Sequence, residues 1–452
     1  MDNRRRLFVA SCVALVANAM AFSIRTDIMG DYARSFQLTM AQVGAAVSLG
    51  AIVGIAIQFL GGALLDVVGI GTALWLACAA HVLGLGTILL AQGFWGLAAG
   101  WLFLGAASNL IEASINPLAA TMYPEKKTHI LNVLHAWWPG GLIIGGLAAY
   151  GFSEILKLTN APKGLVDISW QLKTALVFLP VALYALLILG QKFPKTERVQ
   201  AGVSTGAMFK EAIRPMFLVL VFCMFLTASV ELGPNLWVGV FIEHMIGIRG
   251  VLLLVYTSGL MFVLRFFAGP LAKWISPNGI LLGSSVLSGL GLLWLSYSDT
   301  GLSVFLAATV FGVGVTYFWP TMLGVTSERF PKGGAFLMGI IGAAGGLFLS
   351  YVTNPGMGML HDHYTLQNLP PAVAAQVVVN GRVSEDREAA LPASERASVA
   401  DARRIAARTT FRFVAALCAV LLVVFGAMTL RDRAKGGYRQ EILAKDGGGK
   451  TV

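Results

Sequence analysis

The chain predicts an all-α membrane protein of about twelve transmembrane helices in two six-helix halves, with both termini on the cytoplasmic side. Three observations predict it. Of 452 residues, 56% are hydrophobic and only 12% charged, whereas soluble domains carry about 25% charged residues. The apolar residues gather into runs of about twenty, the length that crosses a bilayer as a helix. Short motifs also recur at an offset near 205 residues, about half the chain.

The runs lie near 7–29, 41–65, 71–92, 95–122, 130–153, 172–191, 215–246, 251–273, 279–298, 302–327, 333–360 and 409–430. They lack the alternation of barrel strands, and a bilayer otherwise admits only helices. Orientation follows the short loops. Arg4, Arg5 and Arg6 precede span 1, Lys126 and Lys127 follow span 4, and Lys192, Lys195, Arg198, Lys210 and Arg214 join spans 6 and 7. Arg329 and Lys332 follow span 10, and Arg431, Arg433, Lys435, Arg439, Lys445 and Lys450 form the tail. The alternate loops are poorer, with Arg34, then Lys157, Lys163 and Lys173, then Arg249. This bias puts both termini in the cytoplasm and accounts for most of the net charge of +10. Basic residues dispersed in this way do not make a nucleic-acid footprint. Arg4–Arg6, an apolar run and Ala17-Asn18-Ala19-Met20-Ala21 imitate a signal peptide. Cleavage there would leave an odd number of spans and a basic tail on the wrong side. Cys12, Cys78, Cys223 and Cys418 are scattered through spans, so neither disulfides nor a metal cluster is expected.

Gly62-Ala63-Leu64-Leu65-Asp66 ends span 2 and Gly269-Pro270-Leu271-Ala272-Lys273 ends span 8. Asn116-Pro117 and Trp319-Pro320, then Gly140-Gly141 and Gly345-Gly346, repeat the same offset. The simplest organisation is an N-terminal half over 1–191, a linker over 192–212, a C-terminal half over 213–431 and a tail over 432–452. An outer insertion near 361–408 carries mixed charge and the hairpin signal Asn380-Gly381. Residues 393–408 read as a helix feeding span 12, and the rest as a flexible linker.

Span 4 carries the main chemical signal. Glu112 is the only ionised side chain between 95 and 122, and a carboxylate at that depth costs roughly 2.5–3.5 kcal/mol on insertion scales. Asn109, Glu112 and Asn116 share one helix face, and Pro117 removes a backbone hydrogen bond beside them. In span 5, Asn132, His135 and Pro139 share a face next to Trp137 and Trp138. In span 1, Asn18, Phe22 and Arg25 share one, with Asp27 near the outer end. Span 7 offers Glu231, Asn235 and Trp237, and span 10 offers Trp319. Acids and amides exchange hydrogen bonds with hydroxyls, and flat rings pack on C–H surfaces, a combination suited to a small polyhydroxylated ligand. A carboxyl group whose surroundings alternate between buried and hydrated also alternates in proton affinity. Asp27, Glu112 and Glu231 are therefore the candidates for proton coupling.

Four stretches are similar to the major facilitator superfamily, and within it to the fucose/galactose/glucose–proton symporter group. They are Thr26-Asp27-Ile28-Met29 with Phe36-Gln37-Leu38-Thr39 and Gln42-Val43-Gly44; Ile111-Glu112-Ala113-Ser114-Ile115-Asn116-Pro117 with Pro124-Glu125; Leu131-Asn132 through Gly140; and Trp319-Pro320. The resemblance implies that Asp27 and Glu112 are the proton-coupled or sugar-contacting acids and that Asn116 and Asn132 line a cavity. It also implies that Gly62, Asp66, Arg265 and Gly269 belong to conformational motifs, Arg265 being structural. The chain departs from the pattern at Ile70-Gly71, where the superfamily places basic residues, and at His135-Ala136-Trp137-Trp138.

The expected protein is a monomeric, multi-pass carrier of a bacterial-type cytoplasmic membrane. It would import a neutral sugar or related polyol with protons by alternating access, without a cofactor or metal. An organic-anion carrier or exchanger using Arg25 and an uncoupled facilitator are the alternatives of the same fold. A non-transporting sensor and an enzyme are less consistent with the residues, since no nucleophile–base or metal constellation occurs.

Overall fold

The computed structural model describes residues 2–246, 250–379, 381–443 and 449–451; Arg249, Asn380 and Lys445 lie outside them. Among the described residues, eleven helices are long and apolar enough to cross a membrane, and a pair bent by 66°, Leu253–Arg265 with Ala268–Ile275, makes twelve. Spans 1 to 6 are Asn3–Phe36, Met40–Val68, Ile70–Leu89, Phe94–Met122, Lys127–Leu158 and Ser169–Ile188. Spans 7 to 12 are Pro215–Ile246, the bent pair, Pro277–Tyr297, Gly301–Arg329, Gly334–Asn368 and Ala393–Ala434.

Local chemistry sets the boundaries. Gln37 in the left-handed region ends span 1. Thr39 and Gln42 then form a reciprocal capping box that starts span 2. Pro277 at the first turn of span 9 follows Ser276, whose hydroxyl accepts from the Gly279 N–H. Prolines lie within four spans: Pro117 in span 4, Pro139 in span 5, Pro234 in span 7 and Pro320 in span 10. Ahead of Pro355, span 11 unwinds into a π-helical turn over Leu349–Thr353, as expected where a proline removes a backbone donor.

The two halves meet tightly at the end of the bundle that carries both termini. A Cβ on Gly62 of span 2 would lie 2.4 Å from the Ala335 carbonyl of span 11, and one on Gly339 would lie 2.6 Å from the Gln58 carbonyl. Only glycine permits that approach. The Glu328 carboxylate of span 10 accepts the Thr128 N–H of span 5 at 2.9 Å, a negative charge at a helix N-terminus. Lys127, fully buried, donates to Glu197 at 2.6 Å and to the Ser327 carbonyl at 3.1 Å. The segment between the halves is part of this closure, because Arg198 pairs with Asp66 at 2.6 Å and Thr196 donates to the same carboxylate. The tail crosses the seam as well: Tyr438 donates to Glu328 at 2.7 Å, and the Gln440 amide donates to the Pro124 carbonyl.

The insertion near 361–408 is folded, which corrects the expectation of a flexible linker. Span 11 continues to Asn368, and a short helix Pro371–Val377, a two-residue hairpin and a helix Glu385–Ala389 follow. Leu369, Val373, Val377, Leu391, Val399 and Ala402 form its own small apolar core, and Arg403 clamps Glu388 with two hydrogen bonds of 2.9 and 2.7 Å. Composition alone hid this, because the stretch is polar overall and its few apolar residues meet only once the chain turns back.

Candidate functional site

A cavity of about 380 Å³ opens between the halves, in the part of the bundle away from the termini. Its volume falls within the range of ~300–1,000 Å³ usual for small-molecule sites. Spans 1 to 5 form one wall, span 3 through His81, and the π-helical turn of span 11 with Asn354 forms the other. Of the candidate residues, Asn18, Phe22, Arg25, Asn109 and Trp138 line it. The Arg25 guanidinium lies over the Phe22 ring at 4.4 Å and over the Trp101 ring at 5.0 Å. Phe22 and Trp138 face each other with ring centres 6.0 Å apart. Asn18 donates to the Ser108 carbonyl at 3.3 Å.

The acid of span 4 sits one turn deeper than Asn109 on the same face. Asn116 donates from Nδ2 to Glu112 Oε2 at 2.9 Å, and its Oδ1 is 2.8 Å from His135 Nε2. An amide oxygen only accepts, so His135 carries a hydrogen on Nε2. His135 Nε2 and Glu112 Oε2 stand 3.9 Å apart, so Asn116 is the bridge between them. No lysine or arginine pairs with Glu112 among the described residues.

Beyond His135 the network crosses into the other half. Pro139 has no N–H to give the His135 carbonyl, and Pro320 has none for the Thr316 carbonyl. Arg265, only 2% exposed, supplies both: Nη1 to His135 O and Nε to Thr316 O, each at 2.7 Å. Its third arm pairs with Glu231 Oε1 at 2.7 Å, and Glu231 Oε2 accepts the Trp319 N–H at 2.9 Å. One guanidinium therefore replaces two missing backbone donors, one in each half, and neutralises a buried acid.

The other candidates fall elsewhere. Asp27 does not line the cavity; its carboxylate is held at 2.6 Å by Lys173, which is 5% exposed. Asn132 is buried at the seam, donating to Thr321 Oγ1 at 3.2 Å. Trp137 packs edge-on against Phe262 across the same seam. Asn235 donates to the Glu231 backbone carbonyl, Trp237 donates to Asn354 at 2.8 Å, and the Trp319 ring covers Gly345. Gly269 lies against the His129 ring, where a Cβ would be 2.8 Å away.

Sequence reasoning missed Trp101 and the span 11 wall of Ser350, Tyr351 and Asn354. A signal existed for each. Trp101 lies on the Asn109 face two turns earlier, and Asn354-Pro355 interrupts an apolar run as Asn116-Pro117 does. Lys173 and Arg198, the partners of Asp27 and Asp66, gave no signal, because each lies more than 120 residues from its acid.

The sequence model described as Major Facilitator Superfamily matches residues 7–352. No curated protein sequence matches the chain. Among solved structures, the fold is similar to that of the E. coli fucose:proton symporter, with 17% identity, 93% of this chain and 98% of that one covered, and a TM-score of 0.67. A proton:xylose symporter superposes with 12% identity, 94% and 96% coverage and a TM-score of 0.69. The human organic anion transporter MFSD10 superposes with 10% identity, 94% and 100% coverage and a TM-score of 0.63. At these identities the likeness is one of fold.

Proposed function

The chain belongs to the major facilitator superfamily of membrane transporters, and on that premise we propose that it couples proton movement to the movement of a small, sugar-like solute. One observation carries the reading. Asp27 and Glu231 each have a cationic partner, whereas Glu112 has none among the described residues and lies in the middle of a polar stripe that begins in the cavity at Asn109. An acid at membrane depth without a fixed counter-charge is placed to exchange a proton. Gain or loss of that proton changes what Asn116 can donate to, and Asn116 holds His135, whose carbonyl is the contact of Arg265 with the other half. Proton occupancy and the fit between the halves then share one hydrogen-bonded chain. Amides and hydroxyls beside Phe22, Trp101 and Trp138 suit a solute with hydroxyls and a C–H face. The basic short loops support termini on the cytoplasmic side of a cytoplasmic membrane.

The test is transport by purified protein in liposomes, after a thermal-shift screen of sugars, polyols, sugar acids and carboxylates has supplied a solute. Glu112→Gln should abolish accumulation driven by an imposed pH gradient while solute exchange continues. Accumulation at the wild-type level in this variant would rule out Glu112 as the coupling acid.

A further inference from the structure

We infer that the solute is an anion, a polyhydroxylated acid rather than a neutral sugar, and that Arg25 seats its acidic group; this rests on the sugar-like reading above. Among the described residues, Arg25 is the only charged side chain lining the cavity. It makes no hydrogen bond or ion pair among the described residues; its guanidinium lies over the faces of Phe22 and Trp101 and close to the Tyr32 hydroxyl. Other arginines inside the protein have acids: Arg198 has Asp66, Arg265 has Glu231, Arg329 has Asp432 and Arg403 has Glu388. The nearest acid in sequence, Asp27, is taken by Lys173.

Ring stacking covers the faces of a guanidinium and leaves its in-plane N–H groups, which match a carboxylate edge-on. Two further groups of the same wall lack hydrogen-bond partners among the described residues: the Trp101 indole N–H and the Asn18 side-chain oxygen, both buried. The unfilled set is thus a cation, a donor and an acceptor. An acid group answers the cation, and neighbouring hydroxyls, which both accept and donate, answer Trp101 and Asn18. A neutral hexose satisfies the latter two and leaves the charge unanswered, and a cationic solute is repelled.

The test measures binding to the purified full-length protein by tryptophan fluorescence and thermal shift. The probes are galactose, galacturonate and galactonate, with acetate and succinate as acids that lack hydroxyls. In wild type the two sugar acids should bind about tenfold or more tighter than galactose, the least that a charge-assisted hydrogen bond supplies. Arg25→Gln should remove that advantage, and Arg25→Lys should restore part of it. Galactose binding as tightly as its acids overturns the inference and leaves the sugar-like reading intact; this wild-type comparison decides even where the variant does not fold. Acetate or succinate binding as well as the sugar acids, with the same loss in Arg25→Gln, supports Arg25 as the anion seat and overturns the sugar-like reading. No binding by any probe overturns both.

Discussion

Arg265 shows how one side chain is fixed by groups far from it in sequence. Pro139 and Pro320 each orphan a carbonyl, and the guanidinium has enough donors to serve both while holding Glu231. Removing one member of a buried ion pair costs about 3–5 kcal/mol, because the other is left charged and alone, whereas replacing both by apolar groups is often nearly neutral. Arg265→Met should therefore lower the thermal unfolding temperature strongly, and adding Glu231→Met should regain only the part due to the uncompensated acid, because the His135 and Thr316 carbonyls and the Trp319 N–H stay unpaired. A double variant as unstable as the sum of the two single variants would show that no such coupling exists. Arg265→Lys should fall between, since an ammonium keeps the charge but cannot span three acceptors in a plane. From sequence, Arg265 was legible as a structural arginine and Glu231 as an intramembrane acid. Their pairing was not, because residues on spans 7 and 8 that lie 34 positions apart carry no local periodic signal.

Among elements, spans 2 and 11 decide how closely the halves approach. Gly62→Val would place side-chain atoms where the Ala335 carbonyl now stands, 2.4 Å from the Cβ position. Rigid backbone on both sides leaves no room to relax. The terminal end should then stay parted, with spin-label distances between the ends of spans 2 and 11 lengthened and transport lost. Unchanged distances with normal transport would contradict a role for this contact in closure. The elements themselves were legible in the sequence, since apolar runs of helix length have few other solutions in a bilayer. The site was legible where polar residues share one face of an apolar helix, as Asn18, Phe22 and Arg25 do, or Asn109, Glu112 and Asn116. It was not legible where a wall comes from an irregular turn, as at Leu349–Thr353, because a π-turn shifts which residues share a face.

For the whole molecule, the asymmetry between its two ends matters most. The terminal end is shut by Glu328 on the start of span 5, by Lys127 and by Arg198 on Asp66, while the cavity opens toward the other end. The stretch from Asp66 to Gly71 after span 2 carries no basic residue, and the segment joining the halves supplies Asp66 with its cation. Arg198→Gln removes a hydrogen bond to a charged group, worth about 1.5–3 kcal/mol. It should raise the fraction of molecules open at the terminal end about tenfold or more, measured as thiol labelling of a cysteine placed at Ser327; labelling at the wild-type rate would show that the pair does not hold this end shut. Because Arg198 rides on the tether itself, it stays near Asp66 when the ends part. Re-pairing is then a unimolecular event, at an effective concentration of roughly millimolar or above for a short tether. A free anion must match that concentration to compete for Arg198. Ordinary salt, at about 0.15 M, exceeds it, so the re-forming of this pair should be sensitive to the ionic strength around it.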